Sequence, residues 1–307
     1  MKKDLITLEP FSRNEILDII LLAAEIKKNP LNYSTHLKDK TLLMIFEKPS
    51  LRTRVSFEVG MTQLGGHAIY YDLATSPMGK KESVADTAKT ASRYVDIIMA
   101  RLFFQEQMEE LAQHATVPVI NGLTDFSHPC QILGDLLTIK EKKGRLENLK
   151  LAYLGDGKNN VTHSLLYGCA ILGLEINIGC PKEADYLPEN KVLEKCKELA
   201  GDKVRVTSDP IEAIKAADVV YTDSWMSYHI PKDKEGERVA IFKPYQVTGE
   251  LMSRAKPEAI FMHCLPAQRG MEQTAEIIDG PQSIVFDQAE NRLHIQKAIM
   301  LTLLGLN

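Results

Sequence analysis

Apolar residues recur at helical spacing over residues 10–27, where Ile16, Ile19, Ile20, Ala23 and Ile26 share one face. That spacing predicts an amphipathic helix. The pattern then shortens. Residues 41–46 form an apolar run of strand length, and Val55, Phe57, Val59 and Met61 open a helical segment that ends near Gly65-Gly66. Further strands are expected at 68–71, 96–100 and 117–120, with helices at 83–94 and 105–114 between them. Asp86 early and Arg93 late in the 83–94 segment suit the helix dipole. A helix over 129–142 begins with Pro129 at its favoured first position.

A polar break follows at Lys142-Lys143-Gly144-Arg145, and the domain boundary is expected near 145–149. Beyond it the strand candidates are 150–154, 175–178, 204–206, 219–221, 259–262 and 283–286. The stretch 229–240 is charged and irregular and reads as a mobile loop, and 288–304 as a last helix. Strands alternating with helices argue an α/β fold of two domains, 1–145 and 146–287, each a parallel sheet flanked by helices.

The first strand runs into its helix through Ser50-Leu51-Arg52-Thr53-Arg54. A helix N-terminus leaves unpaired N–H groups and a partial positive charge, so two hydroxyls and two guanidiniums there suit a phosphate. An ordinary N-cap by Ser50, with solvated arginines, would use the same residues. The other strand ends carry chemistry too. Arg101 follows the third, and Asn121 to Gln131, including His128, follows the fourth. Gly155-Asp156-Gly157-Lys158-Asn159-Asn160 follows the fifth, Asp223-Ser224-Trp225-Met226-Ser227 follows Tyr221, and His263-Cys264-Leu265-Pro266 follows Met262. Ligands of open parallel sheets bind beyond such carboxyl ends. Taken together they point to an active site with two parts. Arg52, Arg101 and His128 can anchor a phosphate, while Asn160, Asp223, Ser227 and Cys264 suit an amino acid zwitterion.

Length allows two ordinary domains: 307 residues, of which 44% are hydrophobic and 25% charged. With 37 basic against 41 acidic residues the net charge is -4, which offers no bulk attraction for nucleic acid or an anionic membrane. No stretch has the length of a membrane span, and the N-terminus lacks a signal-peptide core. The five cysteines are scattered without a CxxC pair, so neither a disulfide framework nor a structural zinc site is suggested, and a cytoplasmic protein is expected. Gly155-x-Gly157 could open a dinucleotide fingerprint, but Asn160 holds the third glycine position, which disfavours a nicotinamide-dependent dehydrogenase. Neither HExxH nor HxxEH occurs, and carboxylates do not cluster, so no metal is expected. His263 could be a core histidine and Cys264 a small buried filler.

These motifs resemble those of the transcarbamoylase family, and within it the ornithine branch. Ser50-Leu51-Arg52-Thr53-Arg54 is similar to Ser-Thr-Arg-Thr-Arg except at Leu51. His128-Pro129-Cys130-Gln131 is similar to His-Pro-x-Gln, and His263-Cys264-Leu265-Pro266 matches His-Cys-Leu-Pro. Asp223-x-Trp225-x-Ser227, Asn159-Asn160 and Asn291-Arg292-Leu293 match in the same order along nearly the whole chain.

The resemblance implies carbamoyl transfer from carbamoyl phosphate to the δ-amine of L-ornithine, in arginine biosynthesis, by a homotrimer without cofactor. Putrescine or an acylated ornithine is the alternative acceptor, and a catalytically silent relative the alternative role. It implies that helix 288–307 returns to the first domain. Carbamoyl phosphate falls to Ser50, Leu51, Arg52, Thr53, Arg54, Arg101, His128, Gln131, Cys264, Leu265 and Arg292. Ornithine falls to Asn160, Asp223, Ser227 and Tyr228, and the chemistry to Arg101, His128, Cys264 and Arg292. Three departures stand out: Leu51 for threonine, Pro77 for a glutamine that reaches a neighbouring subunit, with Lys80 or Lys81 as its replacement, and Ser227-Tyr228-His229 for Ser-Met-Gly.

Overall fold

The computed structural model describes residues 3–75, 78, 81–226 and 230–307. The chain divides into two compact units, Met1–Leu137 with Glu290–Asn307, and Thr138–Ala289. In the first unit α1 (Arg13–Lys28) starts in a capping box between Ser12 and Glu15, which satisfies otherwise orphaned N–H groups. Its buried face is the expected one, Ile16, Ile19, Ile20, Ala23 and Ile26. Each of its large apolar side chains contributes about 1.5–3 kcal/mol on burial.

Four strands, β1 (Thr41–Phe46), β2 (His67–Asp72), β3 (Ile97–Arg101) and β4 (Val119–Leu123), form a parallel sheet in the order β2-β1-β3-β4. It is covered by α2 (Leu51–Gln63), α3 (Val84–Ala91), α4 (Gln105–His114) and α5 (Pro129–Lys143). Ile45, Ile98, Ala100 and Val119 pack with Ala88, Met108 and Leu111 in its core.

The second unit has five parallel strands, β5 (Lys150–Leu154), β6 (Glu175–Gly179), β7 (Val204–Thr207), β8 (Val219–Thr222) and β9 (Ile260–His263), in the order β7-β6-β5-β8-β9. Its helices are α6 (Asn160–Leu172), α7 (Asn190–Ala200), α8 (Pro210–Ile214), α9 (Glu235–Phe242), α10 (Gly249–Met252) and α11 (Ala275–Ile278). The last helix, α12 (Val285–Leu304), belongs to the first unit from Glu290 onward. It lies close to both α2 and α5. A Cβ at Gly60 would stand 3.3 Å from Lys297, and one at Gly134 would stand 3.4 Å from Ile295.

Two expectations are corrected. Residues 283–286 are not a strand. Ser283 makes a single bridge to Phe261, and the apolar residues after it begin α12. The charged stretch 229–240 is not an irregular loop in its described part. Lys232–Lys234 is a 3-10 turn and α9 follows, with Phe242 buried, Arg238 folded in against Asp156 and the other charges outward. Charges on one face and an apolar anchor on the other are compatible with a short surface helix.

In each sheet the chain builds outward from a central strand in one direction and then in the other. The reversal falls between β1 and β3 in the first unit and between β5 and β8 in the second. Crevices at such reversals are where open α/β sheets bind ligands.

Candidate active site

At the first reversal, β1 ends in the turn that opens α2, and β3 ends at Arg101. Ser50 caps α2, its hydroxyl accepting the Thr53 N–H at 3.3 Å. The Thr53 hydroxyl is a hub. It stands 3.1 Å from the Ser50 hydroxyl and 3.5 Å from a guanidinium nitrogen of Arg101 and of Arg292. Arg292 also donates to the Gln131 amide oxygen at 2.5 Å, and Gln131 donates to Asp135 at 2.8 Å. After β4, the Thr124 hydroxyl accepts the Ser127 N–H at 3.1 Å, and this tight turn sets His128 at the start of α5. Arg101, His128, Gln131 and Arg292 are all buried.

Burial pushes His128 well below the usual imidazole range, and Arg292, Arg101, Lys48 and Arg52 push it the same way. His128 is therefore a neutral imidazole, a single N–H donor among cations. The result is a polar cradle, rich in cations, at a helix N-terminus, built for an oxyanion carrying more than one charge.

At the second reversal, β5 ends in Gly155, whose φ of +136 suits glycine. A Cβ at Gly157 would lie 2.6 Å from the Tyr186 carbonyl, so the loop passes too close for any other residue. Asn159 caps α6 by accepting the Thr162 N–H at 2.8 Å, and its amide donates to Tyr153 at 2.8 Å and to Asp223 at 3.4 Å. The Cys264 thiol donates to the other Asp223 oxygen at 2.9 Å. His263 accepts the Leu265 N–H on Nδ1 at 2.9 Å, and Leu265 has a φ of +57. That left-handed backbone costs of order 1 kcal/mol.

Close by, Glu272 is buried. Burial lifts its carboxyl to about 7 against backbone hydrogen bonds from its own N–H and that of Gln268, and the Asp223 charge adds to the lift. Arg238 of α9 pairs with Asp156 at 2.5 Å and donates to the Trp225 carbonyl at 2.7 Å.

The ligating atoms of Asp223, His263 and Cys264 fall within 4.8 Å of one another, the one described grouping that a metal ion could bridge. The thiol is given to the carboxylate and His263 Nδ1 to a backbone N–H, so at least two of the three donors already have hydrogen-bond partners inside the protein.

Models of two domains match in sequence: the carbamoyl-P binding domain of aspartate/ornithine carbamoyltransferase over residues 3–141, and its Asp/Orn binding domain over residues 147–303. The chain belongs to the aspartate/ornithine carbamoyltransferase family.

Its relatives include the ornithine carbamoyltransferase of Bacillus subtilis (strain 168), 54% identical over 98% of this chain and 94% of that protein. That of Cenarchaeum symbiosum (strain A) is 52% identical over 98% of each. Among solved structures, ornithine carbamoyltransferase from Pyrococcus furiosus superposes with a TM-score of 0.94 at 47% identity, covering 99% of this chain and 97% of that one.

Within this carbamoyltransferase, the structure gathers Ser50, Arg52, Thr53, Arg101, His128, Gln131 and Arg292 in the first unit, and Asp223, Cys264 and Leu265 at strand ends of the second, with Asn160 opening α6. Leu51 is at the helix start but largely exposed. Arg54 bonds Glu58 at 3.1 Å and stacks over the Tyr70 ring at 3.9 Å, so its guanidinium is engaged on the flank of α2. Ser227 and Tyr228 lie outside the described residues, as do His229, Pro77 and Lys80.

Cys130 is packing material within its motif, since burial pushes its thiol up to about 12. Sequence reasoning passed over Lys48, Asp156, Glu272 and Arg238. Of these, Lys48, two residues before the capping serine, and Asp156, in the run that follows β5, carried a positional hint.

Proposed function

We propose that the enzyme transfers the carbamoyl group of carbamoyl phosphate to the δ-amine of L-ornithine, giving L-citrulline and phosphate. The carrying observation is Asp223, a buried carboxylate at the β8 end that is bonded to Cys264 and Asn159. An α-ammonium group needs such a carboxylate, and full-length kinship with ornithine carbamoyltransferases gives the reaction class.

The phosphate rests on the 50–54 turn, where Ser50, Leu51, Thr53 and Arg54 offer the helix N-terminus and Arg52 and Arg101 supply charge-assisted bonds. Thr53, Arg101, His128 and Arg292 receive the carbamoyl oxygen, whose charge grows as the tetrahedral intermediate forms. Neutral His128 gives this oxygen a hydrogen bond without a proton. Gln131 and the Leu265 carbonyl orient the carbamoyl NH₂. Asp223 binds the α-ammonium and Asn160 the α-carboxylate, with Ser227 and Tyr228 completing the acceptor side.

The neutral δ-amine attacks the carbamoyl carbon, the bond to the phosphate oxygen breaks with its electron pair, and the amine's surplus proton leaves with phosphate or through Cys264. Proximity of two bound substrates supplies much of the rate.

The working unit we propose is a homotrimer. Val55 and Val59 lie four residues apart along α2 with their side chains exposed, and Ile69 of edge strand β2 is exposed as well. That apolar stripe suits a contact between copies. Five free cysteines, four of them buried, fit a reducing cytoplasm, where the reaction would serve arginine biosynthesis.

The test is an assay of the purified chain with carbamoyl phosphate and ornithine, putrescine or N-acetylornithine, reading ureido product and phosphate. Ornithine should be the best acceptor. A preference for putrescine, which has no α-carboxylate, or for the acylated amine, would overturn the assignment.

A further inference from the structure

The strand that leads into the acceptor side carries a buried hydroxyl to which the proposed reaction gives no role. Tyr153 of β5 is fully buried. Its neighbours Ala152 and Leu154 pack in the apolar core of the second unit, and strand alternation turns Tyr153 to the other face. There it meets Tyr221, its register partner on β8, with ring centroids 6.2 Å apart and planes at 28°.

The two phenols serve different partners. The Tyr221 hydroxyl accepts the Gln288 amide at 3.0 Å, and the Gln288 oxygen accepts the His263 N–H at 3.0 Å. The Tyr153 hydroxyl accepts the Asn159 amide at 2.8 Å, and the same amide nitrogen reaches Asp223 at 3.4 Å. Its other hydrogen-bond partner is the Thr162 hydroxyl. The phenol stays neutral, since burial and then the Asp223 charge push it well above the usual phenol range.

Asn159 is therefore tied at both ends of its amide. Its oxygen caps α6 on the Thr162 N–H, and its nitrogen is shared between Tyr153 and Asp223. Thr162 has a hold of its own, its hydroxyl donating to the Asp156 carbonyl at 2.9 Å. Loss of the phenol oxygen thus frees one group above all, the Asn159 NH₂ that faces Asp223. The ring alone would serve the stacking on Tyr221, so the hydroxyl is to be explained by what it bonds. Satisfying the cap residue is a structural role that uses the same bond. The two roles part at Asp223, and there they can be told apart.

We infer that Tyr153 is a positioning residue of the acceptor side, whose hydroxyl fixes the Asn159 amide so that Asp223 is held where it meets the acceptor's α-ammonium. This rests on the reading of Asp223 as the partner of that ammonium.

The experiment compares kcat/KM of the full chain, at saturating carbamoyl phosphate, for L-ornithine and for 5-aminopentanoate. The second acceptor keeps the carboxylate and the reacting amine and lacks only the α-ammonium. Tyr153→Phe should lower the ornithine value by roughly 3–10-fold, through KM, the size of one lost neutral hydrogen bond. The 5-aminopentanoate value should change by less than about twofold, because that acceptor has no group for Asp223. Tyr221→Phe removes the matching hydroxyl from the facing ring, and the ratio of the two acceptors should stay at the wild-type level. Asn159→Ser keeps a capping hydroxyl and removes the amide. It should reproduce the ornithine-selective loss, a second route should Tyr153→Phe not fold. On an Asp223→Asn background, Tyr153→Phe should cost ornithine less than about twofold, since effects that pass through one group do not add.

Equal loss of both acceptors in Tyr153→Phe or Asn159→Ser would overturn the inference and leave the hydroxyl a structural role. So would a Tyr153→Phe effect that persists in full beside Asp223→Asn. A wild type that uses 5-aminopentanoate as well as ornithine would overturn the reading of Asp223 and the inference with it.

Discussion

The two units solve opposite electrostatic problems. In the first, Lys48, Arg52, Arg101 and Arg292 converge on an imidazole that burial, and then their charges, keep neutral. Glu47 and Asp125 accept backbone N–H groups of Phe103 and Gln105, and the buried Asp135 accepts the Gln131 amide. In the second, the acids are answered from within: Asp223 by Cys264 and Asn159, and Asp156 by Arg238. The contrast shows what each ligand must do. A phosphate dianion relieves repulsion among cations that the fold holds together. An amino acid must displace or share hydrogen bonds that already exist. The first site is therefore expected to change its stability strongly on binding, and the second to change little.

The largest effect should come from removing a cradle cation. Arg101→Met keeps most of the side-chain volume and removes one of several like charges gathered around His128. Turnover should fall by about 10²–10³-fold, the size of losing a main stabiliser of a developing oxyanion. The ligand-free melting temperature, read by circular dichroism, should hold or rise. A variant that loses activity only because it unfolds would break the comparison.

Next comes Asp223→Asn. It removes the carboxylate that holds Cys264 and, by proposal, the α-ammonium. A charge-assisted bond is worth about 1.5–3 kcal/mol, so ornithine KM should rise by roughly 10–100-fold. Calorimetric affinity for carbamoyl phosphate should stay within about twofold of wild type, since Asp223 itself meets only the acceptor in the proposed scheme.

A smaller effect concerns Glu272. Its carboxyl is raised from the usual 4.5 to about 7, so the folded state holds this proton more tightly than the unfolded state. Stability of the second unit should be fully present below about 4.5 and decline as pH rises toward about 7, by up to about 3 kcal/mol. The single tryptophan, Trp225, lies in this unit, so urea unfolding followed by its fluorescence at about pH 5 and about pH 8 reads the difference. Glu272→Gln should flatten it.

The smallest effect is expected at Leu51. Its side chain is 75% exposed, so Leu51→Thr should change stability by no more than about 0.5 kcal/mol. Carbamoyl phosphate affinity should shift by less than about threefold, because the helix N–H groups that meet the phosphate are unchanged.

Much of this architecture was legible because burial imposes a period. The α1 face could be read from isoleucine spacing, and the strands β1, β3, β5 and β8 from short apolar runs. Both misread stretches lacked that clarity. In α9, charge dominates the composition, and what fixes the helix is the Phe242 ring stacked on Trp225 at 5.9 Å, with Arg238 folded in against Asp156. In 283–286, four residues are too few to separate a strand from the first turn of a helix.

The residues that bear the chemistry stood out because they follow strands. Their grouping could not be read that way, since strand order is a long-range property that periodicity does not encode. Lys48 and Glu272 were passed over for a related reason. Each is an ordinary charged residue in sequence, and only burial makes it unusual. Arg54 was drawn in by its motif, and its partners proved to be Glu58 and Tyr70.

The central claim, that the first unit holds a repulsive cradle which an anion relaxes while the second is internally compensated, is tested most directly by amide hydrogen exchange of the full chain with and without inorganic phosphate. Exchange should slow at residues 50–57, 101–103 and 128–135, with residues 153–163 and 219–226 unchanged. Equal slowing in both units, or no slowing in the first, would contradict it.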